Sequence, residues 1–213
     1  MRFFPDNLPE NISDGEAEVS KGELTRQRII EEAAPIFNQR GYAGCSMQDV
    51  MEATGLEKGG IYRHFSNKEE LAAEAFRYNM GRSVRFRMDA VVGVEGAVEK
   101  LRAYVRSWAR TPSVIPGGCP MLNTAVDADD GNPLLRKLVT EAVQDWKGRI
   151  GRIVEEGIAA GEIREDVDPR KIANTLIATL EGALMITRLE GTKEAMRDAQ
   201  ATLESVISAI ARE

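Results

Sequence analysis

Apolar residues recur at helical spacing along most of the chain, and no segment alternates between apolar and polar residues with a period of two. Val98, Leu101, Val105 and Trp108, for example, stand at i, i+3, i+7 and i+10, on one face of a helix. A half-buried β-strand requires the period-two pattern. We therefore predict an all-α protein.

Helix start and stop signals divide the second half of the chain. Three prolines and two glycines between Thr111 and Pro120 predict a break, and Asp168-Pro169 predicts a helix with proline at its first position. The predicted helices lie at about 95–110, 120–128, 132–160, 169–190 and 193–211.

The composition is typical of a globular protein and argues against several other classes. The two cysteines and the single histidine, His64, are too few for a disulfide framework or a zinc site, so we expect no metal and no cofactor. No apolar run approaches the roughly 20 residues that span a bilayer, and the N-terminus lacks the pattern of a secretory signal. We expect a cytoplasmic protein without a membrane partner.

Charge is distributed unevenly along the chain, whose formal net charge is −6. Residues 1–20 are rich in Asp, Glu, Asn, Pro and Gly without periodicity, and we interpret them as a mobile acidic tail; the alternative is a start codon placed upstream of the true one. Residues 20–68 carry seven basic and six acidic side chains. A modest basic patch on an acidic protein suits a small, oriented contact with nucleic acid.

The first helix is predicted to begin at Thr25, a favourable N-cap residue, and to end at Gly41. Pro35 lies inside this helix, where a proline removes one backbone hydrogen bond and normally introduces a kink.

Two short helices joined by a tight turn follow. Ser46 and Asp49 form a capping box at the start of one helix, and Gly55 ends it, because glycine tolerates a positive φ. The next helix runs from about Glu57 to His64. The apolar residues that can close a core between these helices are Val50, Leu56, Ile61 and Phe65. This is a helix-turn-helix, whose second helix is presented to a major groove.

Five stretches in this region closely resemble the DNA-binding domain of the TetR family. They are Gly41-Tyr42, Ser46-Met-Gln-Asp-Val, Thr54-Gly-Leu, Lys58-Gly-Gly-Ile-Tyr-Arg-His-Phe and Asn67-Lys-Glu-Glu-Leu. The resemblance implies a one-component transcriptional regulator, with repression the commonest role in the family. It implies a DNA-binding domain at residues 21–68 and a helical ligand-binding and dimerisation domain at residues 69–213.

Hydrogen-bond donors around the second helix are the candidate DNA contacts. The resemblance matches Tyr62, His64 and Lys68 to family positions that contact phosphates. The family often has Ser or Thr where Gly60 stands, so a hydroxyl contact is missing here. The predicted DNA-binding residues are Thr25, Arg26, Ser46, Gln48, Lys58, Gly59, Gly60, Tyr62, Arg63, His64 and Lys68. The alternatives are core or structural roles for Tyr62 and His64, and solvated surface for Lys58 and Arg63.

The resemblance also implies that the last two helices pair with a second copy as a four-helix bundle, and that the homodimer reads a near-palindromic operator. The predicted interface residues are Ile172, Leu176, Leu180, Ala183, Leu184, Thr187, Met196, Leu203, Val206, Ile207 and Ile210. Packing within one chain is the alternative for the same residues.

The resemblance also places an effector pocket inside the helical core, and we expect a small, partly hydrophobic ligand there. The candidate ligand-binding residues are Tyr104, Trp108, Cys119, Met121, Asn123, Trp146 and Leu180, each of which also suits plain core packing. Cys119 is in addition a candidate sensor of oxidants or electrophiles. In the expected mechanism the bound effector shifts the helix that begins near Asn67, and operator affinity falls.

Two other functions compete with a DNA-binding regulator. An enzyme is disfavoured, because the chain has one histidine, no nucleophile motif and no glycine-rich phosphate loop after a strand. The second rival is a helical adaptor that has lost operator binding, supported only by the missing hydroxyl at Gly60 and by Pro35.

Overall fold

The computed structural model describes residues 20–128 and 131–212, and in these ranges the chain is helical with no β-strand. The helices are α1 (Lys21–Gly44), α2 (Met47–Thr54), α3 (Lys58–Tyr62), α4 (Lys68–Asp89), α5 (Ala97–Arg110), α6 (Pro120–Ala128), α7 (Pro133–Ala159), α8 (Pro169–Glu190) and α9 (Glu194–Ile210). The predicted all-α fold is confirmed. The predicted tail at residues 1–20 lies outside the described residues, except for Ser20.

Helix α1 begins earlier than the sequence predicts. Ser20, not Thr25, is its N-cap, because the Ser20 hydroxyl accepts from the Glu23 amide while the Glu23 carboxylate accepts from the Ser20 amide. The hydroxyl of Thr25 donates to the Lys21 carbonyl inside the helix. Pro35 does not break α1. The backbone of α1 leaves helical geometry farther along, at Gly41, with φ of 75° and ψ of 170°.

The starts of α2, α4 and α8 agree with the sequence. Ser46 and Asp49 form the predicted capping box at α2, and Gly55 ends that helix in the left-handed conformation. The side chain of Asn67 accepts the Glu70 amide at the start of α4. Asp168 accepts two amides at the start of α8, directly before its first residue, Pro169.

The chain divides into two compact units, and the division does not follow the predicted boundary at residue 68. The first unit combines the described residues up to Gly81 with Ile115–Ala142. In this unit α1 packs against α2 and α6, and α2 packs against α3. Its fully buried side chains include Ile29, Val50 and Ile61.

The second unit combines Arg82–Val114 with the described residues from Val143 onward. Helix α9 packs against α5 and α8 in this unit. Helices α7 and α5 approach closely, since a Cβ atom added at Gly157 would lie 2.6 Å from the Ala97 Cβ atom. The Glu162 carboxylate, which follows α7, accepts the Ala97 amide at the start of α5.

Helix α8 is long and apolar enough to cross a membrane by length and composition, with a mean hydropathy of 1.2. The sequence expectation concerned an uninterrupted apolar run, and Glu181 interrupts the apolar residues of α8. Its residues Leu176, Leu180 and Leu184 are almost fully buried in the core of the second unit. A helix that lines a globular core meets the same criterion.

Candidate DNA interface

Helices α2 and α3 are held at a fixed angle by the turn between them. The Thr54 hydroxyl is buried, donates to the Val50 carbonyl across 2.8 Å and accepts the Leu56 amide across 3.3 Å. Ile61 and Phe65 are buried and anchor α3 and the residues after it from the inner side. The inner face of α3 is thereby fixed, and its other side chains are left outside the core.

The outer side of α3 carries exposed donors. Lys58, Gly59, Tyr62 and Arg63 are exposed, and the Lys58 ammonium lies 5.8 Å from the centre of the Tyr62 ring. These groups suit contacts with phosphates and with base edges. His64 is half-buried, so its surface is smaller than that of its neighbours.

The two glycines of α3 have no internal role that requires glycine. Among the residues that the structure describes, a Cβ atom added at Gly59 would meet nothing within 4 Å, and one added at Gly60 would meet only the Leu56 side chain, at 3.6 Å. Neither has a positive φ. Glycine makes a helix about 1 kcal/mol less stable than alanine does. Gly59 and Gly60 therefore lower the stability of α3, although the described neighbours leave room for an alanine side chain at both positions.

Several other predicted DNA contacts are engaged within the first unit. Arg26 lies 3.7 Å from Glu74 and 3.9 Å from Glu70, with its guanidinium 4.8 Å from the centre of the Phe65 ring. The Gln48 amide donates to Glu52. These contacts leave Arg26 and Gln48 less available to DNA than the α3 side chains.

The capping carboxylate at Asp49 sets the electrostatics of the α2 start. Hydrogen bonds from Ser46 and Arg40 lower the pKa of Asp49 to about 2. The Ser46 hydroxyl donates to this carboxylate across 2.7 Å, so the predicted phosphate donor at Ser46 already has a partner. Thr25, which donates to Lys21, is in the same situation.

Lys68 has a partner that the sequence did not indicate. Its ammonium donates to the Tyr42 carbonyl across 2.5 Å and lies 4.3 Å from the centre of the Tyr42 ring. The same side chain retains protons for a phosphate, because an ammonium has three donors. Its first role in this structure is to hold the chain that leads from α1 to α2.

Comparisons with known proteins place this geometry in a family. Residues 29–75 match the family described as bacterial regulatory proteins, tetR family, and residues 97–203 match the family described as tetracyclin repressor-like, C-terminal domain. The chain belongs to the TetR family of transcriptional regulators. The predicted family membership is confirmed.

Solved TetR-family structures and a curated relative resemble most of the chain. A TetR-family transcriptional regulator from Cytophaga hutchinsonii is 40% identical, with a TM-score of 0.87 over 92% of this chain and 99% of that one. A TetR transcriptional regulator from Chloroflexus aurantiacus is 42% identical, with a TM-score of 0.84 over 90% and 98%. The transcriptional repressor DhaR of a Mycobacterium species is 26% identical over 79% of this chain and 85% of its own length.

The candidate effector residues of this TetR-family chain fall into both units. In the second unit Trp108 and Trp146 stack with ring centres 5.7 Å apart, and the Trp146 indole donates to the Tyr104 hydroxyl across 2.6 Å. The Arg87 guanidinium lies 4.1 Å from the centre of the Trp108 ring. Leu180 is fully buried in the same unit.

The remaining effector candidates belong to the first unit. Cys119 and Met121 are buried, and the Asn123 amide donates to the Asn38 and Gly117 carbonyls. With only 7% of its surface exposed, Cys119 lacks the access that a sensor of oxidants or electrophiles needs. Asn123 has a structural partner set that the sequence did not indicate.

The predicted dimer residues need correction. Thr187 and Val206 are half-buried, and the other nine residues are buried inside this single chain: Ile172, Leu176, Leu180, Ala183, Leu184, Met196, Leu203, Ile207 and Ile210. Side chains with no exposed surface, such as Leu176, Leu180 and Met196, pack within this chain, whereas Thr187 and Val206 retain surface for a second copy. Both sides of α8 are apolar, and the sequence pattern selected the side that packs within the chain.

Sequence reasoning missed Asp127, and it also missed the structural hydrogen bonds that the side-chain amide of Asn123 makes. Asp127 accepts the Tyr42 amide across 2.5 Å, although 85 positions separate them in the chain. No local periodicity or capping motif links residues so distant. In the part of the chain that the structure describes, no group of three or more His, Cys, Asp or Glu side chains is placed to hold a metal ion.

Proposed function

We propose that this chain is a homodimeric, one-component repressor that binds a near-palindromic operator through α3 and is released by a small-molecule effector. The observation that carries the proposal is the outer side of α3, where Lys58, Tyr62 and Arg63 are exposed beside two glycines without an internal role. A bare helix backbone flanked by donors suits close approach to a major groove.

The exposed side of α8 supports dimerisation. Gly182, Met185, Ile186 and Leu189 stand at i, i+3, i+4 and i+7, and the last three are 48%, 39% and 79% exposed. A Cβ atom added at Gly182 would meet no described atom within 4 Å, so a second helix has room to approach. A two-fold dimer carries two α3 helices, which matches a near-palindromic operator with half-sites about one helical turn apart.

The aromatic cluster of the second unit supports effector control. An effector that separates Trp108 from Trp146 would also disturb Arg87, which lies over Trp108 and belongs to α4. Helix α4 is continuous from Lys68 to Asp89, and Lys68 holds the carbonyl of Tyr42. A shift of α4 would therefore reach the α1–α2 connection, and operator affinity would fall. Such a regulator acts in the cytoplasm.

Binding to the DNA upstream of its own gene tests the proposal. We expect specific binding of the dimer, measured by fluorescence anisotropy, and a loss of about 1–3 kcal/mol in Arg63→Ala if Arg63 reads a base. In Lys58→Ala a lost phosphate contact lowers the slope of log affinity against log salt by about 1. The control is Arg170→Ala, whose exposed side chain pairs with Asp168 among the described residues. A wild-type protein that binds this DNA no better than random DNA contradicts the proposal.

A further inference from the structure

The hydrogen-bond ladder of α1 is interrupted at Gly41, and two groups lose their helical partners there. In a continuous helix the Tyr42 amide would donate to the Asn38 carbonyl, four residues earlier. Because Gly41 has φ of 75° and ψ of 170°, this bond is absent, and the chain restarts a short turn closed by the Cys45 amide donating to the Gly41 carbonyl. Both orphaned groups need other partners.

Two side chains of α6 supply these partners. The Asp127 carboxylate accepts the Tyr42 backbone amide across 2.5 Å. The side-chain amide of Asn123 donates to the Asn38 backbone carbonyl across 2.9 Å. The two side chains stand four residues apart and therefore share one face of α6. Asp127 replaces the acceptor, and Asn123 replaces the donor, of the helical hydrogen bond that α1 lacks at this point.

The Asp127 carboxyl occupies the place of an N-cap side chain. Gly41 is the residue before the restarted turn, and it has no side chain with which to cap it. A Cβ atom added at Gly41 would lie 2.9–3.3 Å from the three carboxyl atoms of Asp127. The capping carboxyl thus lies where the side chain of residue 41 would otherwise be.

The face of α6 is itself held in place by Asn38. The buried side-chain amide of Asn38 donates to the Pro116 carbonyl across 2.7 Å and to the Gly118 carbonyl across 3.1 Å. The side-chain amide of Asn123 also donates to the Gly117 carbonyl. A Cβ atom added at Gly117 would lie 2.9 Å from the Asn38 carbonyl oxygen, so the loop before α6 approaches α1 as closely as a glycine allows.

The restarted turn leads directly into the DNA-binding helices. Tyr42, whose amide Asp127 holds, has its carbonyl held by Lys68 of α4. Three residues later the buried Cys45 precedes Ser46, the N-cap of α2. The direction in which the chain enters α2 therefore depends on the peptide groups on both sides of Tyr42.

From this geometry we infer that Asn123 and Asp127 of α6 are positioning residues of the DNA interface: they hold the break in α1 open and so orient α2 and α3. Both lie outside residues 29–75, the range that matches the DNA-binding family. When Asp127 is removed, the Tyr42 backbone amide can donate to the Asn38 carbonyl again; when Asn123 is removed, that carbonyl competes with Asp127 for the Tyr42 amide. Helix α1 then runs straight through Gly41, and the entry to α2 turns away.

The inference rests on the proposed operator binding, and the test separates the two. The variants are Asp127→Ala, which removes the acceptor, Asp127→Asn, which keeps a carboxamide oxygen in its place, and Asn123→Ala. The control is Val126→Ala, on the same helix with a side chain that is 77% exposed. Operator affinity is measured well below the melting temperature of each variant, and the amide shift of Tyr42 and the Cα shift of Gly41 are measured by NMR without DNA.

We expect Asp127→Ala and Asn123→Ala to lose at least tenfold in operator affinity while folded, with shifted Tyr42 and Gly41 resonances. We expect Asp127→Asn to stay within about threefold of the wild type, because the lone pairs of an amide oxygen accept the same hydrogen bond. Val126→Ala should match the wild type in both measurements.

Three results overturn the inference. In the first, both alanine variants keep the Tyr42 and Gly41 resonances at their wild-type positions. In the second, the loss of operator affinity is no larger than the unfolded fraction measured by circular dichroism explains. The third is an Asp127→Asn variant as impaired as Asp127→Ala. If the wild type itself binds no operator, the proposed function fails, and the resonances still decide whether α6 holds the break open. Should Asp127→Ala not fold, Asn123→Ala carries the same comparison with Asp127 in place.

Discussion

The indole nitrogen of Trp146 donates a hydrogen bond to the phenol oxygen of Tyr104 across 2.6 Å, inside the core of the second unit. Burial raises the pKa of Tyr104 well above its usual range. The neutral phenol is therefore the form that folding favours.

The first prediction concerns this phenol. Tyr104→Phe removes the acceptor of the Trp146 indole N–H. It should lower the free energy of unfolding by about 1 kcal/mol, or by more if no other acceptor takes that N–H. Because the folded pKa is raised, the contribution of the phenol is fully present below pH 10 and is lost only as the pH rises further. Ultraviolet titration should show one tyrosine that ionises only on unfolding and that is missing from Tyr104→Phe; a phenolate signal from Tyr104 near pH 10 in the folded protein would contradict this.

The second prediction concerns the α2 cap. With the pKa of Asp49 lowered to about 2, its contribution to stability is present above the ordinary value near 4 and is lost as the pH falls from there towards 2. The melting temperature of Asp49→Ala should therefore be below that of the wild type at neutral pH, and the gap should narrow across this acidic range. A gap that stays constant down to pH 2 would show that the ionised carboxylate plays no part.

The third prediction concerns the glycines of α3. Gly59→Ala and Gly60→Ala should raise the free energy of unfolding by up to about 1 kcal/mol each, because the added methyl groups meet no crowded atom and alanine favours helix. The same variants should bind operator at least tenfold more weakly if the DNA approaches this backbone. Thermal melts and anisotropy titrations measure the two effects.

The matched control for the glycine variants is Gly148→Ala in α7, where the added Cβ atom would meet only the Arg152 side chain, at 3.6 Å. It should stabilise the protein by a similar amount with unchanged operator affinity. Equal DNA binding by Gly59→Ala and the wild type would place α3 farther from the groove than proposed.

The fourth prediction concerns the stripe on α8. Met185→Glu and Leu189→Glu should convert the dimer to a monomer in light scattering after size-exclusion chromatography, since each places a charge on the proposed interface. Val92→Glu, with a side chain that is 75% exposed outside the stripe, is the control. A dimer that survives both α8 substitutions would place the interface elsewhere.

Local signals were enough to predict the helix-turn-helix. The capping box at Ser46 and Asp49, the positive φ of Gly55 and the buried anchors Ile61 and Phe65 all depend on residues a few positions apart. The start of α8 at Asp168-Pro169 was predictable for the same reason.

Predictions failed where the deciding partner is distant or where two faces look alike. The engagement of Lys68 with Tyr42, and of Asp127 with the same residue, joins positions 26 and 85 residues apart. In α8 the buried Leu180 and the exposed Leu189 are equally apolar, so composition cannot say which faces the chain's own core. The start of α1 was misplaced for a different reason: Ser20 and Glu23 carry the local capping-box pattern, and the interpretation overlooked it in favour of Thr25.

The carboxyl that caps the turn after Gly41 comes from a helix made much later in synthesis. A ribosome that has delivered residues up to Gly81 has completed the sequence of the helix-turn-helix but has not yet added Asp127. If α6 orients α2 and α3 as inferred, the helix-turn-helix is not a transplantable module: a chimera that joins residues 20–81 to a foreign sensor would need a new acid against Gly41, or a residue at that position able to cap its own turn.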